Sequence, residues 1–236
     1  MVSITAGTVT DGSPVIGIDF GTTHCTVGVY KDHKFQIVPD DNGNRVTPTY
    51  VTWTGESDRL IGKAARDQAI FNPESTVFGV RRLYESFNGK TPENTDTKLP
   101  FKIIFNDSKP YAEVEIDNEK RLLPPENISA LVLMQMKDQA EKFLGEAVHR
   151  AVLTVPAYFS NEQREITKRA ANVAGLSVER VINSRWTGIN TTNSVQNTLC
   201  WCTIWAEAPW TSQCSTSTMG CLRCWPRTET TTWAAR

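Results

Sequence analysis

The stretch from Val15 to Thr23 reads Val15-Ile16-Gly17-Ile18-Asp19-Phe20-Gly21-Thr22-Thr23 and predicts a buried strand that ends in an acid, a glycine and two hydroxyl residues. A second strand follows at once, from Cys25 to Tyr30. Two strands joined by a tight turn place backbone N–H groups and hydroxyls around a small concavity that suits phosphate oxygens. Asp19 could hold a divalent cation through water, because hard cations near phosphates take few protein ligands. Taken alone, the motif fits an ordinary hairpin equally well.

The rest of the chain alternates between strands and helices around a polar middle region. The predicted elements are strands at about 15–20, 24–30, 34–38 and 50–53, a helix at 60–71, a helical turn and short helix within 76–84, a hairpin of strands 101–106 and 111–116, a strand at 120–123, a helix at 125–144, a strand at 150–155, a helix at 161–174 and a strand at 177–182. Pro125 suits the start of a helix and Gly145 its end. Ser160 and Gln163 form a candidate capping box.

Composition and charge exclude several classes of protein. The chain has 236 residues, of which 39% are hydrophobic and 22% charged, as in ordinary globular proteins. A net charge of −1 gives no indication of a nucleic-acid or membrane partner. No apolar run is long enough to span a bilayer. Residues 1–14 are small and polar, which predicts a flexible leader rather than a secretory signal, so we expect a cytoplasmic protein.

Four segments occur in an order that is typical of one family: IDFGTT from Ile18, DNGNRVTPTYV from Asp41, VLTVPAYF from Val152 and AGLSVERVIN from Ala174. Through them, residues 15–183 resemble the seventy-kilodalton heat-shock chaperone (heat shock protein 70) family. Other actin-like enzymes, such as sugar kinases, share the first segment but not the second and third. The resemblance implies an α/β fold: lobe I of an actin-like, ribonuclease-H-like ATPase domain. In this lobe a mixed sheet is flanked by helices, and a small α+β insertion occupies about residues 40–124.

The resemblance implies a site for ATP or ADP with Mg²⁺. Asp19 would belong to the magnesium–phosphate site, holding the ion through water. Gly21, Thr22 and Thr23 would form the first phosphate loop. His24 follows, where many family members carry tyrosine.

Three further residues match positions with roles in the family. Arg81 stands where the family has an essential lysine, and because a guanidinium is planar and forked, we expect the attacking water to be placed poorly. A solvated arginine pair beside a helix is the alternative interpretation. Pro156 and Arg164 match residues that couple nucleotide state to lobe movement, although a proline after a strand is also a common stop. From Asn183 the family reads N-E-P-T-A-A, and this chain has Ser184 in place of that glutamate.

Residues 184–236 have a different composition from the rest. They hold five of the six cysteines and six of the seven tryptophans, but no lysine. Codons for Cys202 to Thr211, read one base upstream, permit Tyr-Asp-Leu-Gly-Gly-Gly-Thr-Leu-Asp, which resembles the family's second phosphate loop. We therefore interpret the tail as a frameshifted reading of lobe II, and expect it to be divergent and disordered. The pair Cys221 and Cys224 is then a by-product rather than half of a zinc site.

The sequence leaves three functions open. The first is an ATP-binding, stress-response chaperone of this family that is truncated, lacks lobe II and the peptide-binding domain, and is defective in hydrolysis. The second is a non-catalytic fragment that binds J-domain co-chaperones or nucleotide-exchange factors. The third is a non-functional truncated product.

Overall fold

The computed structural model describes residues 13–32, 34–55, 58–85, 99–107 and 109–184. Most of the predicted leader and the whole predicted tail after Ser184, with its shifted-frame segments, lie outside the described residues. The limits predicted for the leader, the insertion and the tail stay predictions.

Twelve strands and four helices make up the described chain. The strands are β1 (Val15–Phe20), β2 (His24–Lys31), β3 (Lys34–Ile37), β4 (Thr47–Pro48), β5 (Tyr50–Trp53), β6 (Arg59–Ile61), β7 (Thr76–Phe78), β8 (Lys102–Asn106), β9 (Lys109–Ile116), β10 (Glu119–Leu123), β11 (Arg150–Pro156) and β12 (Ser177–Ser184). The helices are α1 (Lys63–Gln68), α2 (Arg81–Glu85), α3 (Pro125–Leu144) and α4 (Asn161–Val173).

The main sheet is mixed, with strands in the order β12-β11-β1-β2-β3 and with β4 paired to β2. β1 lies at its centre, parallel to β11 and antiparallel to β2. Ile16, Ile18 and Phe20 of β1, which alternate along one face of the strand, are fully buried in the core. The predicted meander of three strands and the later strand–helix–strand are confirmed.

Two smaller sheets lie in the middle of the sequence, one in the order β6-β5-β7 and the other in the order β10-β9-β8. α3 packs on β1 and β2, and α4 packs on α3 and β12. Ile128, Val132 and Met136 of α3 belong to the same hydrophobic core as β1. This α/β arrangement, a mixed sheet flanked by helices, confirms the predicted fold class.

Both predicted ends of the two long helices are confirmed. α3 has Pro125 in its first turn, and Gly145 caps its end in the left-handed conformation, with φ of 79°. The capping box is present at α4, where Ser160 and Gln163 each accept a hydrogen bond from the other's backbone N–H.

Two local predictions were wrong, and sheet pairing explains both. The predicted helix at 60–71 is shorter, because Leu60 and Ile61 pair with β5 and Gly62, with φ of 77°, turns the chain before α1 begins. The predicted helical turn at 76–78 is strand β7, which pairs with the other edge of β5. Helical spacing was present in the first segment, but edges of β5 offered backbone hydrogen bonds that the sequence pattern does not reveal.

None of the helices in the described residues is long and apolar enough to cross a membrane.

Candidate functional site

The turn between β1 and β2 is too tight for a side chain at Gly21. A Cβ atom built there would lie 2.2 Å from the backbone oxygen of His24, far inside van der Waals contact. Thr22 is half-buried, while Thr23 and His24 are exposed. The Thr23 hydroxyl lies 3.1 Å from Nδ1 of His24. The predicted phosphate loop is therefore a closed turn whose glycine is required by close approach of the backbone.

His24 lies at the rim of this turn, close to α1. Partial burial lowers the pKa of His24 from its ordinary value, and the positive charge of Arg66 lowers it further. A neutral imidazole at this position can donate or accept a hydrogen bond without adding a charge.

Asp19 lies near the end of β1 in the main sheet, beside a buried hydroxyl. Thr154 of β11 is fully buried, and its Oγ1 donates a hydrogen bond to Oδ1 of Asp19. Asp19 lies on β1 and Thr154 lies on β11, and these two strands pair with each other. This bond fixes the orientation of the half-buried carboxylate.

Arg81, the first residue of α2, is a buried cation that is only 4% exposed. Its guanidinium carbon lies 4.9 Å from the ring centroid of Phe159 and 5.5 Å from that of Phe20. Such distances are typical of cation–π contacts. Within the described chain, Nε and Nη2 of Arg81 have no hydrogen-bond partner.

Arg81 interacts electrostatically with Asp19. Burial lowers the pKa of Arg81, and its electrostatic interactions with Cys25 and with Asp19 oppose this effect. An arginine stays protonated in proteins even when its pKa is lowered. Arg81 therefore lies close to the end of β1, because it contacts the ring of Phe20, which stands between Asp19 and Gly21 in the sequence.

Pro156 and Arg164 lie behind the site rather than in it. Pro156 is the last residue of β11, and its backbone oxygen accepts a hydrogen bond of 3.1 Å from the N–H of Phe159. Arg164 donates from Nε to the backbone oxygen of Phe159 at 3.2 Å, and from Nη2 to Oδ1 of Asn183 at 2.7 Å. Arg164 thus holds the turn that carries the Phe159 ring against Arg81.

Sequence reasoning missed Thr154, Phe159 and Thr49 as part of this region. Thr154 is a lone hydroxyl in the apolar strand Val152 to Val155, which is a signal of a specific buried partner. Phe159 and Thr49 gave no such signal, because their partners lie far away in the sequence.

The residues present fit a nucleotide with magnesium. The buried donors of Arg81 suit phosphate oxygens, and a carboxylate next to a hydroxyl suits a hard cation that keeps most of its water. In the described ranges, no group of three or more His, Cys, Asp or Glu residues could hold a metal by itself. A magnesium ion here would thus need water and phosphate oxygens as its other ligands.

Comparison with known proteins identifies a family and a similar relative. A family model described as Hsp70 protein matches residues 15–189. Heat shock 70 kDa protein BIP3 of Oryza sativa subsp. japonica is 48% identical over 171 residues, which cover 72% of this chain and 26% of that protein. The chain therefore spans about a quarter of the length of the relative it matches.

Proposed function

Because this chain belongs to the Hsp70 protein family, we propose that it binds the phosphates of an adenine nucleotide with Mg²⁺ at Asp19, the turn from Gly21 to Thr23, and Arg81. Residues 15–183 would form one wall of the site. ATP and ADP are the ligands that family membership favours.

The observation that carries this proposal is the edge of Arg81 formed by Nε and Nη2, which is buried and has no hydrogen-bond partner in the described residues. Nε and Nη2 lie on the same edge of the guanidinium, and this fork matches two oxygens of a phosphate group. A charged donor that is buried without a partner is unfavourable, so an anion at this edge would remove a cost of the ligand-free protein. The rings of Phe20 and Phe159 both contact the guanidinium.

Each residue then has a distinct part in binding. The backbone N–H groups of the turn would donate to phosphate oxygens, and the Thr22 and Thr23 hydroxyls would add further donors. Asp19, oriented by Thr154, would hold the ion through water. When bound, magnesium would neutralise phosphate charge. Arg81 would hold negative charge on the phosphate farthest from the sugar.

We also propose that hydrolysis is weak. A lysine at the position of Arg81 would present a compact ammonium with freely rotating donors, whereas the fork of Arg81 binds two oxygens and leaves little room to orient a water molecule. The chain would then bind nucleotide and turn it over slowly. Client folding, stress response, and partnership with J-domain co-chaperones or exchange factors are further proposals, which rest on family membership alone.

Titration calorimetry with MgADP and MgATP tests the binding proposal. We expect weak binding, with a dissociation constant above about 10 μM, because residues after Asn183 depart from the family pattern. Arg81→Gln should weaken it at least about tenfold. Arg169→Gln, which removes an exposed arginine on α4, is the matched control. An equal affinity for both variants, or rapid turnover of ATP, would contradict the proposal.

A second proposal concerns the tail. The family match ends at residue 189 of 236, and the codons beneath Cys202 to Thr211 permit a family-like phosphate loop in another frame. We infer a frame change after Asn183. Sequencing the transcript and the genomic locus tests it, and a locus with no family-like frame beneath the tail would exclude it.

An interaction fragment is the second candidate function. The observation that favours it is that the family match stops at residue 189, since one lobe can offer a docking surface without a complete site. Capture of purified J-domain protein or exchange factor by the Arg81→Gln variant, whose affinity for nucleotide should be lowered, would support it. Loss of capture together with loss of nucleotide binding would count against it.

A further inference from the structure

Thr49 connects the main sheet to a small sheet and contacts the phosphate turn from behind. It lies between β4 and β5 and is 2% exposed. Its backbone N–H donates to the backbone oxygen of Thr23 at 2.9 Å. Its Oγ1 donates to the backbone oxygen of Gly21 at 3.1 Å. One residue therefore holds two of the three carbonyl groups of the turn from Gly21 to Thr23.

The thiol of Cys25 contacts the Thr49 hydroxyl. Sγ of Cys25 lies 3.2 Å from Oγ1 of Thr49, and either atom can be the donor. Sγ also lies 4.0 Å from the backbone oxygen of Gly21, to which it can donate. Burial raises the pKa of Cys25 to about 12, so the thiol keeps its proton. The thiol, the Thr49 hydroxyl and the Gly21 carbonyl form one hydrogen-bonded cluster.

Peptide geometry converts these bonds into the direction of N–H groups. In a planar trans peptide unit the C=O and the following N–H point in opposite directions. A bond that holds the Gly21 oxygen toward Thr49 therefore turns the Thr22 N–H away from Thr49. The bond to the Thr23 oxygen does the same for the His24 N–H. Gly21 itself adds no side chain that could fix this peptide, and glycine is the most permissive residue.

We propose that Thr49 is a positioning residue of the nucleotide site, which aims the Thr22 and His24 N–H groups at phosphate. This inference rests on the proposed function for the identity of the ligand, but not for the orientation of the turn. Thr49 touches neither ligand nor metal in this scheme, and acts only through the backbone of the turn.

Three variants separate positioning from general stability. Thr49→Val removes the hydroxyl at nearly constant volume, and Thr49→Ser restores it. Thr167→Val is the matched control, because Thr167 is 1% exposed and its hydroxyl donates to the backbone oxygen of Gln163 at 2.9 Å, within α4 and away from the turn. If Thr49→Val does not fold, Thr49→Ala, which leaves room for a water molecule, replaces it.

The first measurement needs no ligand. Amide ¹⁵N relaxation of Thr22 and His24 reports the order of the two N–H vectors. We expect increased disorder at Thr22 in Thr49→Val, and wild-type order in Thr49→Ser and Thr167→Val. The Thr22 amide remaining as ordered in Thr49→Val as in the wild type would overturn the inference, whatever the protein binds.

The second measurement is the affinity for magnesium pyrophosphate, which lacks the base and sugar. We expect Thr49→Val to weaken binding about tenfold, and Thr49→Ser and Thr167→Val to stay within about twofold of the wild type. Equal affinity of Thr49→Val and the wild type would overturn the inference. Absence of binding of both pyrophosphate and ADP by the wild type would instead overturn the proposed function, and the relaxation result would still decide the role of Thr49.

Discussion

Arg81 is the residue at which stability and binding should move in opposite directions. Its buried guanidinium lacks a partner for Nε and Nη2 within the described chain. Arg81→Met keeps the length and the contact with both rings but removes the charge. We expect the ligand-free variant to be more stable by about 1–2 kcal/mol, because an unpaired buried charge is lost. Thermal unfolding with and without MgADP measures this.

Added MgADP should stabilise the wild type but not Arg81→Met. Arg169→Met, which removes an arginine whose side chain is 62% exposed, should leave both the stability and the MgADP response nearly unchanged. A ligand-free Arg81→Met protein that melts below the wild type would mean that the guanidinium is paired in solution.

Gly21 should tolerate no side chain. In Gly21→Ala the new methyl would lie 2.2 Å from the backbone oxygen of His24, so the turn must open. We expect a loss of about 1–3 kcal/mol in the free energy of unfolding and at least a tenfold loss of MgADP affinity. Gly55→Ala is the control, since its nearest atoms are 3.9 Å away. Urea unfolding and calorimetry give both quantities; similar results for the two variants would contradict the clash.

His24 gives a pH dependence with a defined sign. Its folded-state pKa is lowered from 6.5, first by burial and then by Arg66. Between the lowered value and 6.5 the unfolded chain binds more protons, so the stability that His24 contributes is present above pH 6.5 and is lost as the pH falls through the lowered pKa. NMR titration should show a rise in this pKa in Arg66→Gln and none in Arg59→Gln. An unchanged pKa in Arg66→Gln would leave burial as its only cause.

Only some residues of the candidate site could be predicted from the sequence. Asp19 and the turn could be predicted because they are contiguous in the sequence and connect two strands with recognisable hydrophobic patterns. Thr154, Phe159 and Thr49 reach the site from β11, from the turn after it and from the β4–β5 junction, and no local pattern records those contacts. The burial of Nε and Nη2 of Arg81 without a partner depends on how distant segments pack, and no local sequence pattern shows that packing.

At the scale of elements, the side chain of Gln163 links α4 to α2 by a hydrogen bond. Gln163 accepts from the Ser160 N–H at 2.8 Å and donates from Nε2 to the backbone oxygen of Tyr84 at 3.1 Å. Ser160→Ala should cost about 1 kcal/mol, as a lost N-cap does. Gln163→Ala should cost about 2 kcal/mol, because it also leaves the Tyr84 carbonyl without this donor. Chemical denaturation measures both.

Glu165→Ala is the control for these two helix variants. It removes only an ion pair with Lys168 in which both side chains are at least 40% exposed, so a change within about 0.5 kcal/mol is expected. If Gln163→Ala costs no more than Ser160→Ala, the link to α2 adds nothing to stability.

Helices and strands were predictable where the hydrophobic pattern extends over many residues and where capping residues mark the ends. α3 and α4 carry a proline, a glycine and a capping box at their ends, and the main strands alternate or are wholly apolar. The segments at 60–71 and 76–78 failed for one reason: short strands form when a partner edge is available, and that edge belongs to β5, elsewhere in the sequence.

At the scale of the whole molecule, we expect the main sheet and the sheet β10-β9-β8 to differ in local stability. The β1–β11 pair is buried at the centre of the main sheet, whereas β8 is an edge strand with both ends exposed. We expect amides of β1 and β11 to exchange at least about 100-fold more slowly than those of β8. Native-state hydrogen exchange with mass spectrometry measures this. Uniform exchange across the two sheets would indicate a single cooperative unit.

The parallel pairing of β1 with β11 also has a consequence for synthesis on the ribosome. Asp19 and Thr154 are joined although 135 positions separate them. At about 5–20 residues per second, β1 is synthesised roughly 10 s before β11. Throughout that interval an apolar strand with an open edge is exposed in the nascent chain. A protein of a chaperone family would itself depend on protection while it is being made.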